Sequence, residues 1–439
     1  METDVLDTFS RITSYTCAIL SILTLIPPQK GKLSGPMFIS KRFAEAFTPL
    51  LALAGGLSAL IGLARQNLAI ACIGLLGAAI AARHFIKIAA PHSEFDRTFG
   101  PEWADRIPPS LQDRMLPRRY TPLLADPPPV PCQRDVVFGV HHETGDSLLC
   151  DVWQPPEGTP RTGLAVLYLF GGGWHFMDKN LGTRRFFRHL TGQGHVVMDA
   201  AYTLAPKAQL CAMTADVKRA IAWLKANSAR YSVDPERIVL MGCSSGAHLA
   251  LLAAYTPNHP QLDPPDVQAD TSVRAVVSYS GTTDMRASYD YFRTHLGYFM
   301  NGQTPIERRC IATLDTVFRR TRYLPPDGSY TDAADLLPGM MGGSPDQVPE
   351  MYHLGSPISH VGPHCPPTLL LQGAHDFTGI TPDVQRLHRA LRQADVPSVY
   401  VEFPNSEHAF DMVPANLPQW LPTAQAATCD TERFLALMI

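Results

Sequence analysis

Leu240-Met241-Gly242-Cys243-Ser244-Ser245-Gly246-Ala247-His248 is the stretch on which the reading of this chain turns. It is a G-x-S-x-G pattern between an apolar run, 238–241, and an apolar segment, 247–255. The run reads as a strand and the segment as a helix. A strand that passes straight into a helix needs a tight bend, and small residues around Ser244 permit one while leaving its hydroxyl exposed. Ordinary glycine usage produces such a pattern by chance in some chains. Its weight comes from the strand–turn–helix setting.

Outward from this turn, strands and helices alternate. Residues 136–140 and 148–153 read as a starting antiparallel pair, and 164–170 as a central parallel strand, since it is apolar throughout. Further strands are expected at 196–200, 273–280, 367–372 and 398–403, with helices at 184–193, 213–231 and 383–393. This alternation predicts an α/β fold with a mainly parallel, doubly wound sheet. The rhythm breaks at about 284–366, a stretch rich in aromatics (Tyr289, Tyr291, Phe292, Tyr298, Phe299, Phe318, Tyr323, Tyr330) and too long for a plain connection. An inserted cap over the C-terminal edge of the sheet is expected there.

Two further segments carry chemistry. Phe170-Gly171-Gly172-Gly173-Trp174 follows the central strand directly. Consecutive glycines let backbone N–H groups approach a substrate oxygen with no Cβ in the way, and such donors stabilise the oxyanion of acyl transfer. Trp174 is expected to contact substrate. After the serine, an acid and then a histidine should follow in the chain. Asp376, in Gly373-Ala374-His375-Asp376, and His408, in Glu407-His408-Ala409-Phe410, each come just after an expected strand. His408 suits the base that takes the serine proton, and Asp376 the partner that fixes its tautomer. Rival acids are Asp383 and Asp411; rival histidines are His375, His360 and His364. His248, on the helix after Ser244, reads as a packing or hydrogen-bonding residue, and Cys243 is not at the apex of the turn.

From about residue 133 onward, the insert excluded, the chain resembles the hormone-sensitive-lipase-like carboxylesterase branch of the α/β-hydrolases. Asp199-Ala200-Ala201-Tyr202-Thr203-Leu204-Ala205-Pro206 is similar to that branch's D-Y-R-L-A-P segment, and Tyr231-Ser232-Val233-Asp234-Pro235-Glu236-Arg237-Ile238 to its lead-in to the nucleophile strand. The resemblance implies an α/β-hydrolase fold, nucleophile Ser244, base His408 and acid Asp376. It also implies oxyanion donors from the backbone N–H groups of Gly172, Gly173 and Ser245. Phe170 stands where the branch usually has His, Cys243 where it has an acidic residue, and Ser245 where it has Ala. Ser245 would contribute only its backbone. The M-G-x-S-x-G-A-H stretch and the apolar N-terminus also resemble membrane-bound isoprenylcysteine methylesterases.

The first ninety residues differ from the rest. Apolar runs lie at 12–26, 47–64 and 68–82, the last two separated by Arg65-Gln66-Asn67. A spanning helix needs about 20 apolar residues, with about 17 as the lower limit. The second run meets that limit; the third does so only if 85–90 continue it past Arg83, His84 and Lys87. Gly55, Gly56, Gly62, Gly74 and Gly77 among them would let helices approach closely in lipid. Lys30, Lys32, Lys41 and Arg42 precede the second run, Arg83, Lys87, Arg97 and Arg106 follow the third, and Arg65 lies between. A hairpin with both ends in the cytoplasm satisfies that distribution and leaves the catalytic domain cytoplasmic. The expected organisation is a helical membrane region at 1–90, a Pro-rich linker at 91–132 and a catalytic domain at 133–439.

Composition narrows the function. The chain has 439 residues, 45% hydrophobic and 18% charged, which suits a large catalytic domain plus an accessory region. A net charge of −3 without a basic stretch leaves no electrostatic footprint for nucleic acid. Nine cysteines at scattered spacing read as reduced thiols, not as a zinc or redox motif. The expectation is a membrane-associated serine ester hydrolase acting on a small-molecule or lipid ester, with no metal or organic cofactor. An acyltransferase using the same acyl-enzyme, or a binding protein on the same fold, is the alternative.

Overall fold

The computed structural model describes residues 2–28, 34–180, 182–296, 335–411 and 421–439. Lys30, Lys32, Cys310 and five aromatics of the expected cap (Tyr298, Phe299, Phe318, Tyr323, Tyr330) lie outside the described residues.

Eight strands form one sheet: β1 (Cys132–Val140), β2 (Ser147–Trp153), β3 (Ala165–Leu169), β4 (Val196–Ala200), β5 (Ile238–Cys243), β6 (Ala275–Tyr279), β7 (Thr368–Gly373) and β8 (Ser398–Phe403). Their spatial order is β1-β2-β4-β3-β5-β6-β7-β8. β1 pairs antiparallel with β2, and β2 antiparallel with β4; every later pair is parallel. β3 to β7 are buried along their whole length, as unbroken apolar runs require when both faces are covered. In register, Leu169 lies opposite Gly242, Cys243 opposite Tyr279, and Gly373 opposite Phe403. The chain therefore leaves β3, β5, β7 and β8 at one rim of the sheet, where ligands bind in open α/β sheets.

The N-terminal region is four helices: α1 (Glu2–Leu23), α2 (Ser34–Ala46), α3 (Thr48–Ala64) and α4 (Leu68–Ala89). The third apolar run does continue past Arg83, His84 and Lys87. Asn67 caps α4, its side chain accepting from Ile70 N–H at 3.2 Å. Leu68–Phe99 is long and apolar enough to cross a membrane; Ser40–Ala46 and Thr48–Ala64 meet that test only together, bent by 73°. The third run, not the second, is thus the self-sufficient one. α3 and α4 pack closely at glycine: a Cβ on Gly55 would stand 2.8 Å from Gly74 O, and one on Gly62 2.7 Å from Ala71 N. Among the described residues every exposed large apolar side chain except Leu123, Val137 and Val140 lies in this region.

The segment at 91–132 is expected as a linker that packs partly on the next domain. It begins with a helix, α5 (Glu94–Phe99), and its Phe95, Ile107 and Leu111 enter the same apolar core as the sheet. Regular anchors among the prolines bury enough apolar surface to order it. Helices α6 (Arg184–Gly192), α7 (Leu210–Ala226), α8 (Ser245–Tyr255) and α9 (Thr381–Gln393) cover the sheet, and a further helix, α10 (Pro422–Ala436), closes it through Ala426, Ala427, Phe434 and Leu435. The described ends of the insert are also anchored, since Met285, Leu337, Met340 and Tyr352 are buried in that core.

Candidate active site

The nucleophile turn is dictated by close backbone approach. A Cβ on Gly242 would stand 2.5 Å from the Gly246 carbonyl, and one on Gly246 would strike Leu169 O and Phe170 O. Only glycine fits both positions. Ser244 itself takes φ 53°, ψ −120°, a conformation that costs a non-glycine residue of order 1–3 kcal/mol. The turn is held by Ser244 N–H donating to Tyr279 O at 2.8 Å and His248 N–H donating to Ser244 O at 3.0 Å. This geometry carries the Ser244 hydroxyl to the sheet rim at the start of α8.

His408 and Asp376 arrive from the neighbouring loops. His408 Nε2 lies 2.9 Å from Ser244 Oγ, and its Nδ1 lies 2.8 Å from Asp376 Oδ2. Asp376 is buried and well supplied with donors. Gln372 Nε2 donates to Oδ2 at 2.9 Å, and the Thr378 amide and hydroxyl donate to Oδ1 at 3.0 and 2.5 Å. Burial disfavours its charge, but His408 and Thr378 outweigh burial and hold the carboxyl below its ordinary value. Burial likewise disfavours an imidazolium at His408; Asp376, with Asp411 and Glu407, outweighs it and lifts the group above its ordinary value.

The rivals are engaged with other partners. Asp383 pairs with Arg386 at 2.9 Å on α9. Asp411 accepts from the Cys243 thiol at 3.7 Å. His360 bonds Leu354 O and His364 bonds Tyr255 O. His375 meets the Lys41 ammonium. The Cys243 thiol is buried, and burial, with Asp411 beside it, pushes it well above its ordinary value, so a thiolate is disfavoured there.

The glycine turn after β3 lies against the serine. A Cβ on Gly171 would stand 2.9 Å from Cys243 O and 3.1 Å from Ser244 Cβ. Gly173 has φ +58°, and a Cβ on Gly172 would strike Phe176 O. The turn's own hydrogen bonds run from His175 and Phe176 N–H to Gly172 O at 3.2 and 3.0 Å, and use neither the Gly172 nor the Gly173 amide. Ser245 N–H opens the first turn of α8, where the helix dipole favours negative charge. Phe170 is buried and stacks on Tyr202, ring centroids 4.7 Å apart, while Tyr202 O–H donates to Phe170 O at 3.1 Å. An aromatic pair thus braces the turn where the resembling branch carries His.

Trp174 lies inside the protein. It is only 2% exposed, and its indole N–H donates to His248 Nδ1 at 3.1 Å. Its large apolar ring is packed inside the protein, where it braces the turn. His248 Nε2 in turn bonds Gly355 O at 2.8 Å. That pattern fixes a neutral tautomer, and burial brings the group down to about 4.

Lys41, His375, Phe377 and Glu407 were not singled out as a group around the triad. Their sequence signal was adjacency: His375 and Phe377 flank Asp376, and Glu407 precedes His408. Lys41 carried no such signal.

Sheet order, the strand–serine–helix turn and the glycine turn define an α/β-hydrolase. Residues 150–308 match the BD-FAE family, and residues 327–425 match the prolyl oligopeptidase family. Esterase LipQ of Mycobacterium tuberculosis is 28% identical over 349 residues, 77% of this chain and 73% of LipQ. The probable carboxylic ester hydrolase LipM of the same organism is 30% identical over 282 residues, 64% of this chain and only 56% of LipM. Esterase 2 of Thermogutta terrifontis, phosphoramylated by tabun, shares the fold with a TM-score of 0.51 at 20% identity, over 71% of this chain and 97% of that one. These likenesses support an α/β-hydrolase carboxylesterase, a serine ester hydrolase.

Proposed function

We propose that the chain is a membrane-associated carboxylesterase of lipase-like character that cleaves an apolar ester through Ser244, His408 and Asp376. The observation that carries this reading is the unbroken relay from Ser244 Oγ through both nitrogens of His408 to Asp376. Ser244 Oγ attacks the ester carbonyl while His408 Nε2 takes its proton. Asp376 holds the ring and stabilises the imidazolium. The amides of Gly172, Gly173 and Ser245 hold the oxyanion. His408 returns the proton to the departing alcohol, leaving an acyl-enzyme. A water deprotonated by His408 then attacks the acyl carbon, and Ser244 leaves with the proton.

Membrane association is supported by where apolar surface remains uncovered. Leu53 on α3 is 72% exposed and Leu68 on α4 70%, and Ile12, Ile19, Leu57, Leu60 and Leu75 continue that surface. Contiguous exposed patches on soluble monomers rarely exceed a few hundred Å², and lipid is the natural cover for apolar helices of this length. An anchored site favours an ester drawn from the bilayer. Residues 133–439 are the catalytic part, and a cytoplasmic position follows from the distribution of Lys and Arg.

A fluorophosphonate probe tests the chemistry. It is expected to label Ser244 in the membrane fraction, and Ser244→Ala to lose both labelling and hydrolysis of chromogenic esters of graded chain length. Undiminished hydrolysis by Ser244→Ala would overturn the assignment.

A further inference from the structure

We propose that Lys41, on the N-terminal helical region, is a positioning residue that ties together the loop presenting Asp376 and the loop presenting His408. The proposal rests on the triad reading above and extends it to a part of the chain outside the hydrolase sheet.

The geometry is a complete use of one ammonium. Lys41 is 0% exposed, and Lys41 Nζ donates to Ile26 O at 2.7 Å and to His375 Nδ1 at 2.9 Å. It also lies 3.1 Å from Glu407 Oε1. A lysine carries three N–H donors, so each has one partner. Two of those partners are the residues immediately before Asp376 and His408 in sequence. Glu407 then uses its second oxygen to accept Phe377 N–H at 3.1 Å, closing a link between the two loops. Phe38, also on α2, packs on Phe377 with centroids 4.9 Å apart, and Phe377 meets the His408 ring edge-on at 5.7 Å.

A buried cation is retained only where it is paired and hydrogen-bonded. Here the pairing spans 334 residues between Lys41 and His375, and all of it converges on the backbone that sets the His408–Asp376 distance. Removing the ammonium leaves the Glu407 carboxylate buried without its counter-charge and breaks the polar tie of both loops to α2. Misplacement of about 1 Å in a catalytic constellation costs up to ~100-fold in rate.

The charged and titratable groups around His408 are Asp376 and His375 from the β7 loop, Glu407 and Asp411 from its own loop, and Lys41 from α2. Arg42 of α2 acts on Asp411, and Tyr291 faces Asp376 and Glu407 from the insert. Of these, Asp376 raises His408 most, and Asp411 and Glu407 raise it further. Glu407→Gln removes that anion and keeps Lys41, so the acid limb of the rate profile should move to lower pH.

The full-length protein in its membrane fraction or in detergent serves for the test, with fluorophosphonate labelling of Ser244 and ester kinetics read together. Lys41→Met is expected to keep labelling, at a slower rate, and to lose kcat by about 10- to 100-fold with KM changed less than about twofold. The Lys41→Met/Glu407→Gln double variant should lose little more than the worse single one, because both break the same link. If Lys41→Met does not fold, the nearly isosteric Glu407→Gln carries the test through its kcat loss and its acid limb. Wild-type kcat and labelling rate in folded Lys41→Met, or in Glu407→Gln if that is the variant available, would overturn the proposal while leaving the triad standing. Absence of labelling in the wild-type protein would instead remove the triad reading, and this proposal with it.

Discussion

The indole of Trp174 and the imidazole of His248 are joined by a single buried hydrogen bond, N–H to Nδ1, at 3.1 Å. That bond ties the glycine turn after β3 to the helix that begins with the nucleophile turn. His248 carries the connection onward to Gly355, within the insert. Three segments distant in sequence are thus held at one spacing by two neutral side chains.

Trp174→Phe keeps an aromatic ring, though a smaller one, and removes the donor. His248 Nδ1 is then buried without a partner, at a cost of ~1–3 kcal/mol. Thermal unfolding should report that loss. The kcat should fall too, by less than the ~100-fold that follows deletion of one oxyanion donor.

Asp376→Asn tests the orienting role of the acid. The substituted amide cannot hold the same His408 tautomer, and kcat should drop by about 10⁴-fold with KM little changed. Steady-state kinetics on one chromogenic ester is sufficient.

The pH profile carries its own sign. His408 must be neutral to accept the serine proton, and its neighbours lift it above its ordinary value of 6.5. A raised value keeps the ring protonated to higher pH. The kcat/KM should therefore be full at alkaline pH and fall through a midpoint above 6.5 as pH drops. In Asp376→Asn the residual activity should show that midpoint at lower pH, since the chief raising partner is gone. An acid limb below 6.5 in the wild-type protein would contradict the assignment of His408.

Gly246→Ala should fail for reasons of space alone. Its Cβ meets two backbone carbonyls, Leu169 O and Phe170 O, neither of which can rotate away. Overpacking of this kind costs at least ~1–3 kcal/mol. Loss of the cooperative melt or of fluorophosphonate labelling is the expected result. Gly56→Ala is the control, since nothing lies within 4 Å of the added atom.

The exposed faces of α3 and α4 can be probed by charge. Leu57 and Leu60 are 58% and 65% exposed. Surface substitutions facing water usually change stability by less than about 0.5 kcal/mol. Asp at the centre of a membrane helix costs ~2.5–3.5 kcal/mol. Leu57→Asp/Leu60→Asp should therefore weaken retention in carbonate-washed membranes if lipid covers this face. Unchanged partition between membrane and soluble fractions would argue against membrane embedding.

Much of the architecture was legible because its signals are local. The apolar runs that become β3 to β7 stand out, since strands buried on both faces contain little else. The candidate triad Ser244, Asp376 and His408 is legible by the same logic, each residue lying just beyond a strand. α10 escaped notice because its alanines and polar residues show no strong apolar stripe, although the sheet buries most of them. The burial of Trp174 is not legible in its glycine neighbours, which suggest an open loop, because its partner His248 lies more than seventy positions away.

By itself, the sequence determined which residue types would stand at the ends of which strands, since strand, turn and helix propensities act over a few neighbours. It also marked the apolar character of the first ninety residues. Only the tertiary structure decided that Lys41 reaches His375 and Glu407, and that the third apolar run outlasts the second. Contacts between distant segments depend on how whole elements pack, and no local pattern encodes the identity of a partner hundreds of residues away.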